Sequence, residues 1–141
     1  MIFVLDASVA LTWLLDDATS RYRSQAFSVL NRLRADAGAA HVPATWSLEV
    51  ANVIARAESR GFVSEAQSTA FLELLSALPI AVDADTAARS LTETLQLARR
   101  YRLSSYDASY LELAMRMGLP LATLDADLRK AAPKAGVRLV A

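Results

Sequence analysis

Near its start the chain reads Ile2-Phe3-Val4-Leu5-Asp6, a short and partly β-branched apolar run that ends in an acid. Such a run is typical of a strand that is buried on both faces. The residues that follow, 8–15, change to the spacing of a helix. A buried strand followed directly by a helix is the first unit of an α/β fold with parallel strands.

The same alternation of strands and helices continues to the end of the sequence. Further strands are expected at about residues 41–43, 80–82, 121–123 and 137–140, and helices at about 19–37, 45–61, 64–78, 84–101, 104–117 and 125–132. We therefore predict a single domain over residues 1–141. Its fold class is α/β, an α/β/α sandwich with a central, mostly parallel sheet of about five strands and helices on both faces.

Composition excludes several kinds of site. The 141 residues contain no cysteine and one histidine, so disulfides, thiolate zinc sites and a Ser-His-Asp triad are not expected. The formal net charge is zero, so binding to nucleic acid would depend on a local basic patch or on metal ions.

No basic residue precedes the apolar N-terminal run, and no uncharged segment approaches the roughly 18–20 residues of a membrane span. We expect a cytoplasmic protein without membrane contact.

Four acids are candidate site residues, two because they follow predicted strands and two because of the helix face on which they fall. Ligand sites in open α/β sheets form beyond the carboxyl ends of the strands, and Asp6 and Asp125 lie one or two residues beyond predicted strands. Glu49 falls on the edge of the apolar face of its helix, with Asn52 one turn further on as a possible support. Asp107 lies in the first turn of a helix whose apolar stripe it continues, so we expect it to point inward.

Each of these acids has a simpler interpretation. Asp6 and Asp125 are favoured N-cap residues. Asp107 could complete a capping box with the serine three residues before it. Glu49 could extend to solvent or pair with Arg56. Taken singly, these alternatives stay open.

Taken together, the acids predict a metal site. Carboxylates brought together without a cation repel each other and resist ionisation. With Mg²⁺ or Mn²⁺ they form a site of hard oxygen ligands, which can activate water and neutralise charge on a phosphodiester. The sequence offers neither a nucleophile–base pair nor a glycine-rich phosphate loop in their place.

Four blocks of sequence follow one another in an informative order. They are Val4-Leu5-Asp6-Ala7-Ser8-Val9, Glu49-Val50-Ala51-Asn52, Ser104-Ser105-Tyr106-Asp107-Ala108-Ser109-Tyr110-Leu111 and Leu121-Ala122-Thr123-Leu124-Asp125-Ala126-Asp127-Leu128. In order and spacing the blocks resemble the PIN-domain nucleases, specifically the VapC-type toxins of bacterial toxin–antitoxin pairs. The resemblance covers essentially the whole chain.

The resemblance implies a metal-dependent endoribonuclease, in which metal-activated water hydrolyses RNA phosphodiester bonds without a covalent intermediate. By position, Asp6, Glu49, Asp107 and Asp125 match the metal-binding and catalytic acids of the family. Asp6 and Asp107 would hold the principal Mg²⁺ or Mn²⁺ ion. Glu49 and Asp125 would complete the cluster, directly or through water.

The resemblance also implies supporting residues and partners. Ser8 and Thr123 match polar positions that often support the site, and Asp127 is a nearby acid that could bind the metal through water or only charge the first turn of its helix. The expected partners are RNA as substrate, a second copy of the chain in a homodimer, and a cognate VapB-like antitoxin that inserts a segment into the active-site groove.

Basic and aromatic residues near these blocks have two interpretations. The basic runs could contact RNA phosphate, but we expect solvated helix surface. The aromatic residues could stack on bases, but at helical spacing we expect core. The residues concerned are Arg99, Arg100, Arg102, Arg129, Lys130 and Lys134 among the cations and Trp13, Trp46 and Tyr110 among the aromatics.

Other function classes fit less well. A haloacid-dehalogenase-like, Mg-dependent phosphatase needs a second acid two residues after the first, where this chain has Ser8. A receiver domain needs a lysine beyond a late strand, and Lys130 and Lys134 are poorly placed for that. A catalytically inert α/β interaction module, whose acids only cap helices, is the remaining alternative.

Overall fold

The computed structural model describes residues 1–15 and 20–140. The elements of this part are, in chain order, β1 (Ile2–Leu5), α1 (Ala7–Thr12), α2 (Ser20–Arg34), β2 (Ala39–Val42), α3 (Trp46–Ser59), α4 (Glu65–Ser76), β3 (Ile80–Val82), α5 (Thr86–Ser90), α6 (Glu93–Tyr101), α7 (Ser105–Met117), β4 (Leu121–Ala122) and α8 (Ala126–Lys134). The expected start of the second helix at residue 19 lies outside the described residues. The first helix is shorter than expected and begins directly after Asp6.

The sheet has the strand order β3-β2-β1-β4, and every pair in it is parallel. Strand β1 lies inside the sheet, where Phe3, Val4 and Leu5 are fully buried. An apolar run without polar alternation is what a strand covered on both faces requires. The predicted α/β fold with a central parallel sheet is therefore confirmed.

The expected fifth strand at residues 137–140 is reduced to one bridge. Leu139 forms an isolated parallel bridge with Leu121. Its backbone neighbours supply two hydrogen bonds, from Leu121 N–H to the Arg138 carbonyl and from Val140 N–H to the Leu121 carbonyl, both 2.9 Å long. Since β4 has only two residues, it offers no longer ladder for this segment to pair with.

The single helix expected at residues 84–101 is wrong, because the structure has two helices, α5 and α6. The hydroxyl of Ser90 donates to the Thr86 carbonyl at 2.8 Å and that of Thr92 to the Arg89 carbonyl at 3.3 Å. Such side-chain bonds compete with continued helical pairing. Between the helices, Leu91 is 84% exposed, so no apolar packing there opposes the break.

Helix α7 carries the third of the four blocks of the sequence, which includes Asp107. Its N-cap is Ser104, whose hydroxyl accepts the Asp107 N–H at 3.0 Å, and its C-cap is Gly118 with φ of 66°. Helix α6 ends at Arg102, which has a left-handed backbone (φ 54°, ψ 47°). For an L-residue other than glycine this conformation costs about 1–2 kcal/mol.

In the described part of the chain, no helix is long and apolar enough to cross a membrane.

Candidate active site

Asp6 follows β1 and is held by two hydroxyl groups. The carboxylate is 4% exposed, and its Oδ2 accepts hydrogen bonds of 2.7 Å from Ser8 Oγ and from Thr123 Oγ1. The same hydroxyls accept backbone N–H groups, Ser8 from Leu124 at 3.1 Å and Thr123 from Asp125 at 3.0 Å. Both hydroxyls are therefore oriented, and they join the end of β1 to the segment between β4 and α8.

Glu49, in the first turn of α3, is held by Tyr110 of α7. The Tyr110 hydroxyl donates to Glu49 Oε1 at 2.9 Å and accepts the Ala7 N–H at 3.4 Å. Among the described residues, Glu49 has no ion pair with Arg56. Sequence reasoning missed this role of Tyr110, although its position three residues after Asp107 places it on the inward face of α7.

Asp125 caps its helix through its side chain, whereas Asp107 does not. The hydroxyl of Ser104 caps α7 by accepting the Asp107 N–H, and no described hydrogen bond joins the Asp107 carboxylate to the Ser104 backbone N–H. Asp125 does cap its helix, because its Oδ2 accepts the Leu128 N–H at 2.9 Å. Asp6, the third acid with a capping interpretation, makes no side-chain capping hydrogen bond to α1. The capping interpretation is thus confirmed for Asp125 only.

Burial and the charges of neighbouring acids raise the pKa values of three of the four acids. Burial, opposed by the hydroxyl bonds and reinforced by the charge of Asp125, raises the pKa of Asp6. Burial and then the charges of Asp6 and Asp107 raise the pKa of Glu49 to about 7, although the Tyr110 bond opposes the change. Burial and the charges of Asp125, Asp6 and Asp127 raise the pKa of Asp107 to about 6.

This cluster fits a divalent cation by the chemistry of its donors. With the side chains as they stand, no group of three or more acidic, histidine or cysteine side chains within residues 1–15 and 20–140 is arranged to hold a metal ion. Mg²⁺, however, keeps several waters and is usually bound through one or two carboxylates together with substrate phosphate. A nearby cation would also offset the repulsion that adds to burial in raising the three pKa values. The role of the four acids as metal ligands stays a prediction.

A cleft of about 530 Å³ opens beside the acids. Glu49 and Asp107 lie in its wall together with Asn52, which is exposed and has no described hydrogen bond to Glu49. The outer wall includes Leu48, 72% exposed, and Tyr106, 58% exposed. The cleft therefore combines carboxylates with exposed apolar and aromatic surface.

The aromatic side chains considered for base stacking belong to the core, as expected. Tyr110 is fully buried, Trp46 is 6% exposed, and Trp13 packs against the core while its Nε1–H donates to the Ala26 carbonyl at 2.8 Å. Tyr106 is the exposed aromatic residue of the cleft, and sequence reasoning missed it. Its position immediately before Asp107, in the first turn of a helix whose inner face is apolar, was the available signal.

Comparison with known proteins identifies the fold and a family. The PIN domain family matches residues 3–134 of the chain. Ribonuclease VapC3 of Pyrobaculum aerophilum is 29% identical over 133 residues, which are 94% of this chain and 96% of that protein.

Solved structures with the same fold include three proteins of low identity. PAE2754 from Pyrobaculum aerophilum is 22% identical with a TM-score of 0.68, and the match covers 99% of this chain and 84% of that one. VapBC2 from Rickettsia felis, bound to a DNA fragment from its promoter, is 11% identical with a TM-score of 0.65, over 99% of this chain and 97% of that one. FitAcB from Neisseria gonorrhoeae is 18% identical with a TM-score of 0.62, over 100% of this chain and 97% of that one. At these identities the similarity shows the fold.

Proposed function

Because the chain belongs to the PIN-domain family, we propose that it is a VapC-type endoribonuclease that depends on Mg²⁺ or Mn²⁺. The observation that carries this proposal is that acids from distant parts of the chain meet: the charge of Asp6 raises the pKa of both Glu49 and Asp107, and the charge of Asp125 raises the pKa of both Asp6 and Asp107. That a relative similar over 94% of the chain is a ribonuclease supports RNA as the substrate.

Four acids would hold the metal. Asp6 and Asp107 would bind the principal ion, and Glu49 and Asp125 would complete the cluster directly or through water and would orient the attacking water. The bound ion supplies an activated water and neutralises charge on the scissile phosphodiester. The donor set favours this assignment, because carboxylate oxygens are the ligands of hard divalent ions.

The remaining polar residues act by holding the acids in place. Ser8 and Thr123 fix the Asp6 carboxylate through Oδ2, and Tyr110 fixes Glu49 through Oε1. No described hydrogen bond falls on the second oxygen of Glu49. Asp127 charges the first turn of α8 and acts on Asp107 through its field.

The cleft of about 530 Å³ receives the nucleotides that flank the scissile bond. Glu49 and Asp107 in its wall would hold the metal ion close to the phosphate, and the exposed ring of Tyr106 offers a surface on which a base can stack. A single-stranded segment of RNA suits this site, because its bases are free to unstack onto an aromatic side chain.

The partners follow from the family. We expect a VapB-like antitoxin to bind the chain, a proposal supported by the similar fold of VapBC2 from Rickettsia felis. The homodimer and the cytoplasmic location stay predictions from the sequence.

Cleavage assays with matched variants test the proposed function. The wild-type protein should cleave single-stranded RNA in Mg²⁺ or Mn²⁺ and stop in excess chelator. Asp6→Asn and Asp107→Asn should each lower kcat by about 10²-fold or more, since each removes a ligand charge from the metal site. Glu73→Gln, at an exposed acid of α4, is the control and should cleave like the wild type. Undiminished cleavage by both aspartate variants would refute the assignment.

The inert interaction module makes a different prediction about metal. If the acids only cap helices, Mn²⁺ will not stabilise the protein against unfolding. The nuclease proposal requires stabilisation by Mn²⁺ that is lost in Asp6→Asn, because a ligand that binds only the folded state raises its stability. Thermal unfolding with and without Mn²⁺ therefore separates the two functions even before an RNA substrate is found.

A further inference from the structure

Two basic segments that lie far apart in the sequence share one groove. A cavity of about 330 Å³ between the end of α6 and helix α8 is lined by Arg100, Arg102, Lys130 and Lys134, with Asp127 as its acidic residue. All four cations are exposed. We call this cavity the α6–α8 groove.

The α6–α8 groove adjoins the carboxylate cluster through the chain itself. Arg102 is followed within two residues by Ser104, the cap of α7, which holds the backbone of Asp107. Helix α8 starts at its cap, Asp125, so Lys130 lies on the helix that this acid begins. Asp127, which lines the groove, lies in the first turn of α8, two residues after Asp125.

The cations of the α6–α8 groove are not committed to protein partners. In residues 1–15 and 20–140, none of the four forms an ion pair within 4 Å, and the Arg100 guanidinium lies 5.6 Å from the centre of the Tyr101 ring. Other arginines are engaged: Arg116 binds three acids, and Arg129 donates to the Thr123 carbonyl at 2.9 Å. In a chain of zero net charge, such a basic groove is a local region of positive potential that attracts anionic partners.

Arg102 is a charged residue at a position whose left-handed backbone is unfavourable for any residue except glycine. The residue closes α6 with φ of 54° and ψ of 47°. Glycine adopts this conformation without steric cost and is the common residue at such helix ends. Non-glycine residues held in the left-handed region concentrate at functional sites.

From these observations we propose that the α6–α8 groove binds the phosphate backbone of the RNA substrate on one side of the cleaved bond. The proposal rests on the ribonuclease function proposed above and adds the path of the strand. The scissile phosphate lies at the carboxylates, a neighbouring base lies in the cleft at Tyr106, and adjacent phosphates lie between the arginines of α6 and the lysines of α8. These contacts position the strand without reading its sequence.

RNA binding by paired variants tests the groove. Arg102→Gly removes the charge while relieving the backbone, so folding is not the cause of a loss. Lys130→Gln removes a charge from the opposite wall and keeps a good helix residue. The control is Arg60→Gln, which removes an exposed charge at the far end of α3, about 16 Å along the helix from Glu49. Affinity for a 20-nucleotide single-stranded RNA is measured in excess chelator, over a range of salt concentrations.

Each groove variant should weaken RNA binding by roughly 3- to 10-fold at low salt and reduce the dependence of log K on log salt by about 0.7–1. In Mg²⁺, the same variants should raise KM and leave kcat nearly unchanged. Arg60→Gln should match the wild type in every measurement.

The outcomes separate the groove from the function. If the wild type cleaves RNA with metal while both groove variants bind RNA as tightly as Arg60→Gln, the groove proposal is overturned and the nuclease stands. If the variants weaken binding but no metal condition yields cleavage, the groove is an RNA site and the nuclease proposal fails. Unchanged RNA affinity together with weaker binding of an acidic protein partner would assign the groove to protein recognition and overturn the proposal.

Discussion

At the scale of single residues, the site is held together by hydroxyl groups. Ser8 and Thr123 fix Asp6, and Tyr110 stands between the Glu49 carboxylate and the Ala7 N–H. Hydrogen bonds to an ionised carboxylate favour its charged form and oppose the effect of burial. Without these bonds the acids would bind protons more tightly and metal more weakly.

Tyr110→Phe measures one of these contributions. The change keeps the ring in its buried site but leaves the Ala7 N–H and Glu49 Oε1 without their partner. We expect the free energy of unfolding to fall by about 1–3 kcal/mol, the usual result of leaving buried polar groups unpaired. The pKa of Glu49 should rise further above 7, because the bond that lowers it is gone. Urea unfolding and NMR titration of the glutamate carboxyl measure the two effects.

The matched control for Tyr110→Phe is Tyr106→Phe. Tyr106 is exposed, and its hydroxyl has no described hydrogen bond. Its replacement should change stability by no more than about 0.5 kcal/mol. Equal stability of the two variants would show that the bonds of Tyr110 contribute nothing.

The acids of the site could be predicted from the sequence, and their supports only in part. Asp6 and Asp125 follow from the rule that sites form at the carboxyl ends of strands, and Ser8 and Thr123 from the resemblance. The bond between Tyr110 and Glu49 joins residues 61 positions apart and depends on how α3 meets α7. No local sequence pattern predicts how these two helices pack, so the sequence predicted only that Tyr110 is a core residue.

At the scale of the elements, Arg116 joins α7 to the end of β3. Its guanidinium binds Glu112 one turn earlier on α7 at 2.9 Å and Asp83, just beyond β3, at 2.7 Å. The side chains of Glu112 and Asp83 are 6% and 9% exposed. The arginine therefore compensates two nearly buried carboxylates, and it lowers the pKa of Asp83 against the opposing effect of burial.

Arg116→Met should destabilise the protein by about 3 kcal/mol, the low end of the range for breaking a buried charge pair. Methionine keeps the volume of the side chain, so the loss reports the uncompensated acids. Arg89→Met removes an exposed arginine that pairs with Glu93 at 3.4 Å, and it should leave stability nearly unchanged. Chemical denaturation of both variants gives the comparison, and a small effect at Arg116 would mean that water already screens its partners.

The elements themselves were predictable where the apolar pattern was long or continuous. The buried run of β1 and the stripe of α7 are examples, and both form as expected. The break at Leu91 and Thr92 was not predictable from periodicity, because the residues on either side keep helical spacing. It depends on hydroxyl bonds and on the packing of α6 along α7, which exist only in the folded chain.

At the scale of the whole molecule, charge is separated although the net charge is zero. Acids gather at the carboxyl edge of the sheet, and unpaired cations line the α6–α8 groove beside them. The composition could not predict this, because it depends on which distant segments meet. A strand of RNA that crosses both regions would meet cations along its flank and, at the reacting phosphate, carboxylates that need a metal ion.

This separation predicts how metal-free stability changes with pH. The pKa values of Glu49 and Asp107 rise from 4.5 to about 7 and from 3.8 to about 6 on folding. Between about pH 4 and 7 the native state therefore binds more protons than the unfolded state, and its stability should fall as the pH rises. The lowered pKa of Asp83 acts in the opposite sense, but its contribution is lost only on acidification below this window.

Mn²⁺ should reverse this loss at the upper end of the window. The ion binds deprotonated carboxylates, so it competes with protons strongly at about pH 5 and much less at about pH 7.5. At a free concentration 100 times its Kd it should add about 2.7 kcal/mol of stability at the higher pH and much less at the lower one. Thermal unfolding at the two pH values, with Mn²⁺ or chelator, measures both effects. Glu49→Gln should flatten the metal-free slope while Glu73→Gln keeps it, and a metal-free stability that rises steadily from pH 4 to 7 would contradict the clustering of the acids.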